Sequence, residues 1–273
     1  MSNYHDIDGA ISNSMLSDFR TSPALYEAYY VRPPELRLPR PESTKAKRIG
    51  ITAHALLWQP EEFTKEIVVA PKVDKRTTDG KRIYANFVLG VQGRMVIDPE
   101  ELEVAQRCKE AVLNNKIALA LIESEGPCEE SIRWEHSSGL QLKAKIDKQI
   151  VVVDSVTDIV DLKTTDDPTP EAYGRSAYDY EVGRQMFHYM DGVAFANSQS
   201  VSTIRAHIIA VRNKEPFDVF VYRLPAKWIE VGSNQRNTTL DSINEAIRTG
   251  VWLDPAQLAE SDLIAPYWAR EYK

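Results

Sequence analysis

Residues 140–165 read LQLKAKIDKQIVVVDSVTDIVDLKTT, and this stretch decides the fold. Leu140, Leu142, Ala144 and Ile146 alternate with Gln141, Lys143, Lys145 and Asp147, the period of a half-buried strand. IVVVDS (150–155) and TDIVDLKTT (157–165) predict two more strands. The last of these ends in Asp161-Leu162-Lys163. On a strand, residues i and i+2 project from one face, so the Asp161 carboxylate and Lys163 ammonium stand side by side. The carboxylate can hold a divalent metal, and the ammonium can position a water or stabilise charge on a phosphate. Two further acid-x-Lys triplets occur, Asp79/Lys81 and Glu271/Lys273, but only the middle one ends an apolar strand.

Asp147 lies on the polar face of the preceding strand, 14 residues upstream of Asp161, with turn signals between. A hairpin would set the two acids beside each other. Two close carboxylates repel unless a cation neutralises them, and oxygen ligands suit Mg²⁺ or Mn²⁺. Asp154 and Asp158 compete for the same place on spacing alone. Glu129 and Glu130, before the strand-like SIRW (131–134), offer a third carboxylate. His54 sits in an apolar helix pattern, where a histidine is ordinarily a core residue. Gln185 and Tyr189 are four apart and share a helix face.

Outward from this centre the chain alternates in type. Ser14 is placed to cap MLSDFRT, and Ser22-Pro23 makes an N-cap and first-turn pair for PALYEAYYV. A proline-rich connection spans 32–41. Residues 44–58 read as a helix ended by Gln59-Pro60, IVVA (67–70) as a strand, and 71–82 as a basic loop. Residues 99–123 predict one or two amphipathic helices, and 170–196 and 225–249 further helices. TIRAHIIAVR (203–212) and DVFVYRL (218–224) predict a strand pair. The economical arrangement is an α/β (α+β) fold: one central mixed sheet flanked by helices, with an N-terminal helical extension. It is read as a single domain over 1–273, with 1–98 the helical and basic part and 99–273 the core.

The composition excludes several classes. With 43% hydrophobic and 27% charged residues, the chain is neither disordered nor collagenous. No apolar run approaches membrane-span length, and MSNYHDIDGAIS lacks the features of a signal peptide. Two cysteines, Cys108 and Cys128, predict a reducing, cytoplasmic setting and cannot build a four-thiolate cluster. Net charge is −7, yet residues 32–48 carry six basic against two acidic groups, and 72–82 five against two. Basic segments on an acidic body suit a protein that holds a phosphate backbone at one face. Lys72, Lys75, Arg76, Lys81, Arg82 and Arg48 are the candidate DNA contacts.

The order of these features resembles the PD-(D/E)xK nuclease superfamily, and within it the RecE-type exonucleases (exodeoxyribonuclease VIII-like) of phages and prophages. The resemblance runs from YHDIDGAISNSMLSDFRTSPALY through ITAHALLWQPEEF, VAPKVDKRTTDGK and EESIRWEHSSGLQLKAKIDK. It continues through DLKTTDDPTPEAYGRSAYDYEVGRQMFHYMDG to the terminal WAREY. It implies metal ligation by His54, Glu129, Asp147, Asp161 and the Leu162 carbonyl, with Lys163 in the core D-x-K. Gln185 and Tyr189 would form the Q-x-x-x-Y helix that helps hold the site and the DNA. Ile51 departs from the usual G-T-x-x-H, and Ile146 stands where proline is typical. The resemblance further implies a Mg²⁺-dependent, ATP-independent exonuclease acting 5′ to 3′ on linear double-stranded DNA. Its 3′ overhangs would pass to a RecT-type annealing protein, and a ring-shaped homo-oligomer, a tetramer first, would enclose the duplex. An endonuclease on the same scaffold and a non-catalytic DNA-binding recombination protein are the alternatives.

Overall fold

The computed structural model describes residues 9–254, apart from 92 and 154, together with 257 and 260. The opening YHDID, the terminal WAREY, Asp154 and the Glu271/Lys273 triplet lie outside the described residues. The chain begins with α1 (Asn13–Thr21) and α2 (Pro23–Tyr26), the latter passing into a π-turn over Glu27–Val31. Ser12, not Ser14, caps α1, its hydroxyl accepting from the Met15 N–H. Ser22 caps α2 with Pro23 at the first helical position, as the sequence predicts.

Next come α3 (Lys45–Trp58), capped by Thr44, then α4 (Pro60–Glu66), β1 (Ile67–Val69), α5 (Thr78–Leu89) and β2 (Met95–Ile97). β1 and β2 form a small parallel pair of their own. The basic loop is therefore shorter than expected: Thr77 caps α5, and Lys81 and Arg82 stand on that helix.

The remainder is α6 (Pro99–Asn114), α7 (Lys116–Glu123), β3 (Cys128–Glu135), β4 (Gln141–Val152), β5 (Ser155–Thr165), α8 (Pro170–Asp179), α9 (Val182–Ala196), β6 (Arg205–Arg212), β7 (Val219–Arg223) and α10 (Ala226–Thr249). The five strands form one mixed sheet in chain order, antiparallel except for the parallel β5–β6 pair. The two segments read as strands at 140–147 and 150–155 are one strand, β4. The helix read over 170–196 breaks at Tyr180-Glu181, where Glu181 is left-handed at φ 53°.

Both sheet faces are covered. Leu142, Ala144, Ile146, Ile159 and Ile208 pack with Leu16 of α1, Met186 and Val193 of α9, and Leu240 of α10. Val160, Leu162, Ile209 and Val211 pack with Ala53 of α3, Cys108 of α6 and Ala118 of α7. The result is a helix–sheet–helix sandwich.

Helices α9 and α10 meet at two glycines. A Cβ on Gly232 would stand 2.2 Å from the Gly183 carbonyl carbon, and one on Gly183 2.7 Å from the Trp228 carbonyl oxygen. Gly232→Ala is therefore expected to force the helices apart and cost about 1–3 kcal/mol. Urea unfolding checks this: the midpoint falls while the slope is unchanged.

Candidate active site

Pairing between β4 and β5 stops at Lys148 opposite Val160. The next two residues in register are Asp147 and Asp161, and beyond them the strands diverge. The released backbone groups find other partners. The Asp147 carboxylate accepts the Leu162 N–H at 3.0 Å. Further along β4, Ile11 enters the opening: its N–H donates to Gln141 O at 2.8 Å, and its carbonyl accepts from Lys143 N at 2.9 Å. The site is the mouth of this split in the sheet.

Glu129 lies between Cys128, paired with Lys148, and Glu130, paired with Ile146, which brings it level with Asp147. Its backbone is left-handed, φ 56°, which costs a non-glycine residue roughly 1–2 kcal/mol. That strain accompanies a buried carboxylate, 4% exposed, turned to His54. Glu130 instead accepts from the Gln149 side-chain amide, so Glu129 is the glutamate brought into the cluster. His54 arrives from α3. One turn before it, Gly50 lets α3 approach β5 closely, since a Cβ there would lie 3.0 Å from Thr164 Oγ1.

The distances join these residues into one cluster. His54 Nε2 lies 2.8 Å from Asp147 Oδ2, and His54 Nδ1 lies 3.1 Å from Glu129 Oε1. Lys163 Nζ lies 2.5 Å from Asp161 Oδ2. Gln185 Nε2 donates to Asp161 Oδ1 at 3.5 Å and to Tyr189 OH at 2.9 Å. Lys145 joins them unforeseen: its Nζ is 2.7 Å from Glu129 Oε2 and 3.1 Å from Gln59 Oε1. The available signal was its position two residues before Asp147 on one strand face.

The electrostatics are those of three acids crowded out of water. Burial raises the Asp161 pKa to about 6; Lys163 opposes the shift and Asp147 adds to it. Burial also raises Glu129, against His54 and Lys145. Asp147 is buried too, yet His54, Lys163 and the Leu162 N–H together hold it below the usual carboxylate range. Burial works against a charged His54, but Asp147, Glu129 and Asp161 prevail and push its pKa up to about 9.

These residues fit a divalent cation. One ligand atom each from His54, Glu129 and Asp147 falls within 4.8 Å of the others. Glu129 Oε1 and Asp161 Oδ2 are both buried, the first 3.1 Å from His54 Nδ1 and the second 2.5 Å from Lys163 Nζ. Three carboxylates gathered out of water repel one another, and an oxygen-seeking cation would offset that repulsion. The Leu162 side chain is buried in the core, and its N–H is the atom the structure ties to the site.

The other candidates fare differently. Asp158, the rival acid, lies at the far end of β5 and pairs with Arg205 at 2.7 Å and His207 at 2.6 Å. Arg48 donates to the buried Glu101 at 3.0 Å and to the Ser43 carbonyl at 2.6 Å, contacts that tie α3 to α6. Lys72, Lys75, Arg76, Lys81 and Arg82 are exposed. Lys75 sits 3.9 Å over the Tyr84 ring and 3.4 Å from Asp98, Arg76 is 3.1 Å from Asp74, and Arg82 is 3.3 Å from Asp79. Surface pairs of this kind are weak and leave such cations free to exchange partners.

Residues 12–261 match the family described as a PDDEXK-like domain of unknown function. The chain belongs to the PDDEXK-like domain family. Among solved structures, the fold is similar to that of a "Putative exonuclease" from Eubacterium rectale. The TM-score is 0.62 at 12% identity, over 97% of this chain and 93% of that one. A second, SSO0001, gives a TM-score of 0.27 at 12% identity over 81% of this chain and 83% of that one, too distant to bear on the PDDEXK-like reading. No curated protein matches the sequence. Among the described residues no helix is long and apolar enough to cross a membrane.

Proposed function

We propose that this chain is a metal-dependent nuclease that hydrolyses phosphodiesters of linear double-stranded DNA as an exonuclease. The observation that carries the reading is the meeting of Asp147, Asp161, Glu129, His54 and Lys163 at the split between β4 and β5. Asp147, Asp161, Glu129 and His54 would hold Mg²⁺ or Mn²⁺, which when bound polarises a scissile phosphate and lowers the pKa of an attacking water. Lys163 orients that water and stabilises charge developing on the phosphate. Gln185 fixes the Asp161 carboxylate and is itself fixed against Tyr189. The exposed cations of 72–82 hold phosphates away from the cut and position the strand without reading its sequence.

The finer reading follows the RecE-type resemblance: ATP-independent digestion, 5′ to 3′, leaving 3′ overhangs for a RecT-type annealing protein in the cytoplasm. A ring-shaped homo-oligomer, a tetramer first, would supply processivity by enclosing the duplex. The test is digestion of linear and covalently closed circular DNA, with the 5′ and 3′ ends labelled separately. Loss of linear DNA alone, 5′ label first, is the expected result. Cutting of the circle would make the protein an endonuclease, and binding without cutting a recombination scaffold.

The metal is tested without activity. Magnesium at 100 times its dissociation constant is expected to stabilise the fold by about 2.7 kcal/mol. Thermal unfolding with Mg²⁺ or with chelator reads this as a higher midpoint with the ion. Equal midpoints up to tens of millimolar Mg²⁺ would count against the site.

A further inference from the structure

A pocket of about 440 Å³ opens beside Lys163, between the end of β5, helix α8, the α8–α9 break and Asn213 after β6. This volume suits a small organic ligand. One wall is Tyr173, buried and stacked on Tyr222 with ring centroids 5.4 Å apart. Its hydroxyl is buried with no hydrogen-bond partner among the described residues. Burial and the nearby Asp161 charge raise its pKa, so it remains a donor. The rim is Tyr180, which is 80% exposed and is set at the break by left-handed Glu181. Glu181 is pinned there by Arg20 at 2.5 Å and Arg184 at 3.0 Å.

The charges on the pocket wall are each paired already, Lys163 with Asp161 at 2.5 Å and Asp166 with Lys214 at 3.7 Å. A phosphate pocket would collect cations. Flat aromatic walls, the Thr165 hydroxyl and the Asn213 amide suit a neutral, planar group bearing hydrogen-bond acceptors.

We propose that this pocket is a nucleobase subsite for the nucleotide flanking the scissile phosphate. The base leaves the duplex, lies against the Tyr180 ring and accepts a hydrogen bond from the Tyr173 hydroxyl. The substrate of the site is then a strand already parted from its complement at the cut. Base–aromatic stacking offsets part of the cost of unpairing. The proposal rests on the nuclease reading and names the substrate form that the same site takes.

The experiment uses the full chain and matched linear duplexes in which one nucleotide flanking the cut is normal, abasic or 2-aminopurine. The abasic substrate is expected to raise KM about tenfold at one flanking position with little change in kcat. Tyr180→Ala should raise KM on normal DNA by a similar factor and erase the difference between normal and abasic DNA. Tyr180→Phe should restore it. Tyr173→Phe keeps the ring and removes the donor, and should raise KM on normal but not abasic DNA. Quenching of 2-aminopurine on binding reads the subsite without cleavage. Quenching by the parent chain that is lost in Tyr180→Ala, with no cutting of any substrate, would support the subsite and overturn the nuclease reading. Equal KM for normal and abasic DNA at every flanking position, or quenching unchanged in Tyr180→Ala, would overturn the subsite and leave the nuclease reading standing.

Discussion

Lys163→Ala is expected to slow strand cleavage by about 10²–10³-fold, the usual loss when one positioned donor to transition-state charge is removed. The lysine is the cation at the mouth of the split: its side chain is 29% exposed and its ammonium lies against Asp161. Lys145 does not substitute, because it is held between Glu129 and Gln59. The alanine protein should fold normally, as the lysine packs in neither core. It should bind a divalent ion at least as tightly, since a competing positive charge beside Asp161 is gone. Single-turnover cleavage of linear duplex at saturating Mg²⁺, beside a metal titration of the same protein, separates chemistry from binding. Wild-type rates in the alanine protein would remove Lys163 from the mechanism.

Asp147→Asn should strike metal and cleavage together. Changing a residue that merely orients a ligand typically costs 10–100-fold in metal affinity. Asp147 stands within the ligand set itself, so a loss of at least about 100-fold is expected. Asparagine keeps an acceptor for the Leu162 N–H, so the divergence of β4 from β5 is preserved while the charge disappears. Raising Mg²⁺ or Mn²⁺ should recover part of the rate, which a defect in folding would not allow. Asp158→Asn is the matched control. It removes an acid of the same strand pair, at the end held by Arg205 and His207. It should leave both metal affinity and cleavage unchanged. Calorimetric titration of the two variants decides between them.

Much of the site was legible because its signals are local. The alternation over 140–147 placed Asp147 on a strand face, and the i, i+2 spacing joined Asp161 to Lys163. What escaped depends on distant partners. β4 was read as two strands because Lys148 and Gln149 look like an interruption. Both are buried, with Lys148 donating to the Gly126 carbonyl at 2.7 Å and Gln149 to Glu130. The α8–α9 break carries no glycine or proline. It is held by Arg20, far from Glu181 in sequence, together with Arg184 three residues on. Charge counting also cannot see that Arg48 meets Glu101, 53 residues on. α5 was missed although Ile83, Tyr84, Phe87 and Val88 recur at helical spacing, because the charges of its first turns, Asp79, Lys81 and Arg82, read as part of a basic loop.

Ile11 gives the family boundary a practical meaning. The match begins at residue 12, one position after the residue whose backbone closes β4 between Gln141 and Lys143. A protein trimmed to that boundary would keep every ionisable group of the site and lose the plug beside it. Its Gln141 carbonyl and Lys143 N–H would stand open as a bare sheet margin, the kind of surface on which a second chain lays down a strand. Such a trimmed form would be prone to sticking to itself, and its failure in an assay would report on solubility, not on the residues of the site.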